Sequence, residues 1–170
     1  MGSEQAIGFF LFSVVAAVTP GPSNVLLAAA GANLGIRGGL ACLFGVSAGM
    51  GSMMLIMAGG IAELAPREGP ALSVVRFGGA AFLLFLAWRI ATAPPNEPSA
   101  VPRGFGFREA AALQWVNPKA WIVSAGAAAT FLEPGAGPGL PEAAVFASVF
   151  LAAALPCGFV WLAGGPFMRR

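Results

Sequence analysis

Two short runs of polar and helix-breaking residues interrupt a chain that is otherwise almost wholly apolar: Thr19-Pro20-Gly21-Pro22-Ser23-Asn24 and Gln114-Trp115-Val116-Asn117-Pro118-Lys119. Proline withdraws a backbone donor and clashes with the carbonyl four residues back, so each run frees backbone polar groups from helical pairing. In hydrocarbon those groups are costly unless protein, water or a ligand satisfies them. A helix that restarts after a break presents a partly positive N-terminus suited to a carboxylate. Freed carbonyls suit an ammonium group, and an amino acid carries both. Thr19, Pro20, Gly21 and Pro22 are the candidate break in one run, and Asn117 and Pro118 in the other. Asn24, Gln114 and Asn117 are the candidate hydrogen-bonding side chains, and Lys119 the candidate fixed or titrating charge. The competing reading is structural, because membrane helices tolerate single kinks and a lysine can snorkel to an interface. Reaction chemistry is poorly provided for. The chain has no His, Asp or Tyr, so metal hydrolysis, Ser-His-Asp catalysis and di-iron chemistry lack their usual ligands or bases. No enzymatic activity, cofactor or metal is expected.

The elements that hold these residues follow from composition. Of 170 residues, 58% are hydrophobic and 9% charged, against about 25% charged in soluble domains. Residues 5–36, 38–62, 77–88 and 143–168 carry no charge, and crossing a bilayer takes about 20 apolar residues. The expected fold is an all-α integral membrane protein with five spans, at about 6–31, 39–61, 71–91, 107–131 and 143–167. The third reaches full length only with its flanking Arg76 and Arg89, whose stems can snorkel. The N-terminus offers Glu4 and no basic residue, so it reads as a retained span and not a signal sequence. Lys119 would lie about 18 Å from either end of span four, a depth that costs about 2.5–3.5 kcal/mol on insertion scales.

Tight or Pro/Gly-rich connections are expected at Pro66–Pro70, Ala93–Gly106 and Pro134–Pro141. An outside N-terminus puts Arg37, Arg89, Arg103, Arg108, Arg169 and Arg170 inside and leaves Arg67 and Arg76 outside. Gly45-Val-Ser-Ala-Gly49 is a small-xxx-small face that allows close helix contact. Cys42 and Cys157 read as small apolar residues within spans. The net charge of +2 forms no patch, so no nucleic-acid partner is expected.

A shift of 98 residues places Gly8-Phe9 on Gly106-Phe107 and Thr19-Pro20 on Asn117-Pro118. Each copy opens a half of three spans, an odd number, so the second copy would be inverted. Inverted repeats with interrupted helices in matching positions point to a secondary-transporter site. The chain then reads as one domain, with repeat one at about 1–92 and repeat two at about 106–170.

These motifs, with Gly31-Ala-Asn33-x-Gly35-x-Arg37-x-Gly39 between them, resemble the lysine-exporter (LysE/RhtB) superfamily. The threonine/homoserine/leucine-efflux branch is the more similar. The resemblance implies a multi-pass protein of the bacterial inner membrane that exports a small neutral amino acid or derivative, with protons as the coupling ion. Its partners are then the lipid bilayer and that substrate. The resemblance carries Thr19, Pro20, Gly21, Pro22 and Asn24 to one motif and Gln114, Asn117, Pro118 and Lys119 to the other. Relatives usually end with a sixth span, which the repeat also asks for. Either the reading frame is truncated, or five spans suffice in a homo-oligomer. The acidic residue that some relatives carry in span two is replaced here by a stretch, Val46–Gly51, offering only Ser47. Two rival readings remain open: a membrane thiol-redox protein of related fold, and a non-transporting subunit.

Overall fold

The computed structural model describes residues 2–64, 106–132 and 139–168. The expected third span, the Pro66–Pro70 turn and most of the other two connections lie outside these residues. So do Arg67, Arg76, Arg89, Arg103, Arg169 and Arg170. Every regular element among the described residues is an α-helix: α1 (Ser3–Val18), α2 (Pro22–Leu64), α3 (Phe107–Val116), α4 (Pro118–Phe131) and α5 (Leu140–Met168).

Local chemistry sets the boundaries. A residue before proline is pushed out of the helical region, and both Thr19 (φ −61°, ψ 128°) and Asn117 (φ −87°, ψ 112°) are extended. The expected first span is therefore two helices separated by residues 19–21, and the fourth is α3 and α4 separated by Asn117 alone. Pro22 and Pro118 start the following helices. The N–H that proline lacks there would have had no intrahelical partner anyway. The Asn117 side chain caps α4, accepting from the Lys119 N–H at 3.1 Å. At the start of α3, the Glu109 carboxylate accepts from the Gly106 N–H at 2.9 Å.

Gly35 divides α2 into two arms, residues 22–34 and 36–64. Its φ of 71° and ψ of 173° belong to a region that is essentially glycine's own. The second expected span thus begins at this corner, and the expected fifth span extends to Leu140 and Met168. Among the described residues two helices are long and apolar enough to cross a membrane, Pro22–Gly59 and Leu140–Phe167, with mean hydropathies of 1.9 and 2.2. α1, α3 and α4 have 16, 10 and 14 residues; their breaks leave each one short of a crossing.

Close backbone approaches fix the directions. Gly45 lies against Phe107 and Ala110, and Gly49 against Ala111 and Gln114, so α3 runs alongside the second arm of α2 in the same direction. α5 runs the opposite way, with Leu151 beside Gly51 and Leu162 beside Gly39. Gln5 Nε2 donates to the Phe131 carbonyl at 2.8 Å, tying the start of α1 to the end of α4. Arg37 and Arg108 accordingly open the elements that run one way, and Glu4 and Glu142 those that run the other.

One apolar cluster joins α1, the second arm, α4 and α5 around Phe9, Met53, Met54 and Phe146. The Phe9 and Phe146 rings stack at 4.1 Å and 3°. A second cluster joins both arms, α3 and α5 through Leu27, Leu43, Ala110 and Leu162.

The glycine seams are where side chains cannot be added. A Cβ at Gly31 would run into the Leu162 carbonyl and one at Gly45 into the Phe107 carbonyl, whereas Gly126 faces open space. Gly31→Val and Gly45→Val are each expected to force helices apart and lower the melting temperature in detergent markedly. Gly126→Ala should raise stability by about 0.5–1 kcal/mol. Gly35→Ala, though unobstructed, should cost about 1–3 kcal/mol for its backbone alone. Equal melting temperatures for Gly45→Val and wild type would contradict the seam.

Candidate functional site

The two helix breaks face each other. The Lys119 ammonium donates to the Thr19 carbonyl, and a Cβ at Gly21 would sit 2.7 Å from Lys119 Cδ. The lysine stem therefore lies against the one residue of the first break that has no side chain to obstruct it. Lys119 is half-buried, and its charge reaches across to the other break instead of along its own helix.

The carbonyls around the first break take partners from the break itself, from the restarted helix and from α5. Val15 O accepts the Thr19 N–H at 3.1 Å and the Thr19 hydroxyl at 2.6 Å. Asn24 Nδ2 donates to Ala17 O at 3.0 Å and to Thr19 O at 2.8 Å. Trp161 Nε1, on α5, donates to Val18 O at 3.3 Å. The second break is treated alike: Trp121 Nε1 donates to Trp115 O at 2.8 Å. Each break thus uses an indole, a donor with no acceptor capacity, to close the end of its preceding half-helix.

Ser23 links the breaks. Its hydroxyl donates to Gln114 Oε1 at 2.8 Å and accepts from Asn117 Nδ2 at 2.8 Å. Gln114 Nε2 in turn donates to Ala110 O at 3.2 Å. Gln114, Asn117 and Asn24 are 0%, 4% and 7% exposed. Buried amides at such depth must be paired, and here they are paired with protein.

Between the breaks lies a cavity of about 60 Å³, room for about two waters at the roughly 30 Å³ each takes in the liquid. Gly21, Ser23, Asn24, Gln114, Asn117 and Lys119 line it on one side. The second arm of α2 supplies the facing wall through Leu43, Val46, Ser47 and Met50, and α5 contributes Phe150. Of the residues singled out from the sequence, Gly21, Asn24, Gln114, Asn117 and Lys119 come together here. Thr19 contributes its carbonyl while its hydroxyl folds back on α1. Pro20, Pro22 and Pro118 are not among the lining residues and act through the backbone they interrupt. Sequence reasoning passed over Ser23, Ser47, Trp121 and Trp161 as site residues. Ser23 could have been found, since a hydroxyl one residue after a restarting proline sits in the first turn of the new helix. Nothing marks the two tryptophans, whose partners are 6 and 143 residues away.

Among the described residues no group of His, Cys, Asp or Glu has a metal-binding arrangement. Cys42 is buried in the second cluster and Cys157 is half-buried; both are free thiols.

Among the described residues, two apolar helices of membrane length thus pack with interrupted helices around a part-polar cavity. The chain belongs to the LysE type translocator family, whose pattern matches residues 14–165. Among curated proteins it is similar to the cysteine/O-acetylserine efflux proteins of Salmonella typhimurium (36% identical), Salmonella typhi (35%) and Escherichia coli (34%). Each match extends over 126 residues, covering 74% of this chain and 65% of the relative. The chain thus matches just under two thirds of those relatives' length. No solved structure matches significantly.

Removing the Ser23 hydroxyl takes a partner from both Gln114 Oε1 and Asn117 Nδ2 and leaves them only their long 3.4 Å bond to each other. Ser23→Ala is expected to cost about 1–3 kcal/mol of stability. Asn117→Ala placed on top of it should cost less than it does alone, with a coupling of about 0.5–3 kcal/mol. Denaturant titration of the four proteins of this cycle measures the coupling, and strictly additive costs would contradict the link.

Proposed function

We propose that this chain carries amino acids out across the bacterial inner membrane, binding them in the cavity between the two helix breaks. The observation that carries this reading is the convergence of Lys119 and the amides of Asn24 and Asn117 on one cavity, with Lys119 and Asn24 both donating to the Thr19 carbonyl beside it. An ammonium can exchange with Lys119 at the freed Thr19 carbonyl, while Lys119, released, pairs with the carboxylate. The site residues of this proposal are Thr19, Pro20, Gly21, Pro22, Asn24, Gln114, Asn117, Pro118 and Lys119. Family membership supports the transport class. The names of the curated relatives support a substrate of the cysteine and O-acetylserine kind, small and polar.

In this reading α1 with the first arm of α2 forms one interrupted crossing, and α3 with α4 another. Their summed lengths are about 44 Å and 36 Å at 1.5 Å per residue, which suits a bilayer of about 40–45 Å with its headgroups and puts both breaks near the midplane. The two halves restart at Pro22 and Pro118, and breaks of three residues and one make the repeat imperfect. An inverted repeat with five crossings and an outside N-terminus remains the arrangement we favour. Arg37 and Arg108 at the starts of the elements running outward support it. Export in exchange for protons belongs to the same reading, as does assembly into a homo-oligomer.

Lys119→Met keeps the apolar stem and removes an insertion cost of about 2.5–3.5 kcal/mol, so the protein should express at least as well as wild type. Its efflux of labelled cysteine or O-acetylserine from liposomes should fall at least tenfold, and wild-type efflux should follow an imposed pH gradient. Pro118→Ala should restore helix pairing, keep stability and weaken binding. Efflux within about twofold of wild type for Lys119→Met, under 0.5 kcal/mol in transport free energy, would remove Lys119 from the site. Wild-type liposomes that release neither amino acid would sink the reading itself.

Topology is tested separately, with single cysteines at Gly139 and Asn33 in a background lacking Cys42 and Cys157. An impermeant thiol reagent should label Gly139→Cys in intact cells and spare Asn33→Cys. The reverse pattern would invert the assignment.

A further inference from the structure

We propose that Ser47 is the residue that reads the substrate's side chain, by donating a hydrogen bond to an oxygen or sulfur on its first side-chain carbon. This rests on the reading of the cavity as an amino-acid site. Ser47 stands on the second arm of α2, 6% exposed, and lines the cavity. Its hydroxyl has no hydrogen-bond partner among the described residues, and no fully enclosed side-chain polar atom there lacks one. The Ser47 oxygen therefore opens into the cavity.

That arrangement is unlike the other helical serines. A serine within a helix commonly returns its hydroxyl to the carbonyl one turn back. Ser13 does so to Phe9 O at 2.7 Å, Ser148 to Ala144 O at 2.7 Å, and Ser124 to Ala120 O. Ser52, five residues on along the same arm, bonds the Gly49 carbonyl at 2.8 Å. Ser47 is the buried serine that keeps its donor for the cavity.

Its setting defines what it can recognise. Leu43, Val46 and Met50 surround it on its own helix face, so it is a lone hydroxyl on an apolar wall. The polar groups that would hold the ammonium and carboxylate lie on other elements, at the two breaks. An amino acid whose charged end meets the breaks turns its side chain toward Ser47. An apolar side chain would leave the hydroxyl buried and unpaired, whereas a γ oxygen or sulfur accepts its proton. Sites built around such a donor reject the analogue that lacks the acceptor, because the protein group is then stranded.

Serine and 2-aminobutyrate differ only by a hydroxyl against a methyl group, and cysteine differs from the latter by a thiol. Thermal stabilisation of the purified full chain in detergent, titrated with each compound, gives their affinities by mass action. Wild type should prefer serine and cysteine to 2-aminobutyrate by about 3- to 10-fold, the range of one neutral hydrogen bond. Ser47→Ala, which leaves the helix intact, should bring the ratio near one while leaving 2-aminobutyrate affinity unchanged or higher. Ser47→Thr, which restores the hydroxyl, should recover the preference. A preference that survives in Ser47→Ala overturns this assignment and leaves the transport reading standing. Wild type that binds none of the three overturns both.

Discussion

A helix interrupted inside an apolar medium must find partners for the carbonyls and amides that it releases, and this constraint organises the protein. No neighbouring water is at hand in hydrocarbon, so the partners must be built. Here they come from three helices: Asn24 from the restarted α2, Lys119 and Trp121 from α4, and Trp161 from α5. Each of these bonds spans a break or joins two helices, so meeting the local requirement also fixes the tertiary arrangement. The interruptions that weaken two helices become the points at which the bundle is held.

The glycines serve the same end by another route. Lipid tails are as apolar as leucine side chains, so helices in a membrane gain little by burying leucine against each other and more by close van der Waals contact. Gly31, Gly45, Gly49 and Gly165 bring backbones within reach at two seams, one between the first arm of α2 and α5, the other between the second arm and α3. These seams set the spacing of the cavity walls. They also account for two glycines of the Gly31-x-x-x-Gly35-x-x-x-Gly39 pattern: Gly31 and Gly39 both abut Leu162, while Gly35 supplies the corner.

Much of this was legible in the sequence, because its strongest signals are local. Proline positions mark helix ends through sterics with their immediate neighbours, so both breaks could be read directly, as could the small-residue face at Gly45 and Gly49. The break residues Thr19 and Asn117 follow from the same local rules, whereas the reach of Lys119 to Thr19, 100 residues away, does not. What escaped was set by tertiary geometry. That Asn24, Gln114 and Asn117 bond to protein, through Ser23 and backbone carbonyls, depends on how two distant breaks meet. The tryptophan donors depend on crossings of α4 and α5 with the ends of other helices. The corner at Gly35 was hidden because an apolar run with glycines at four-residue spacing reads equally well as a continuous packed helix or as two.

That corner makes the first arm of α2 a lever. Only one residue joins the two arms, so two torsions at Gly35 govern their relative attitude and make it the pivot. Ser23 and Asn24 sit at the far end, about 18 Å away along the helix. A turn of about 10° at Gly35 would swing them by about 3 Å, the length of the hydrogen bonds that Ser23 makes to Gln114 and Asn117. A small torsional adjustment at Gly35 is therefore geared to the making and breaking of the polar link between the two breaks.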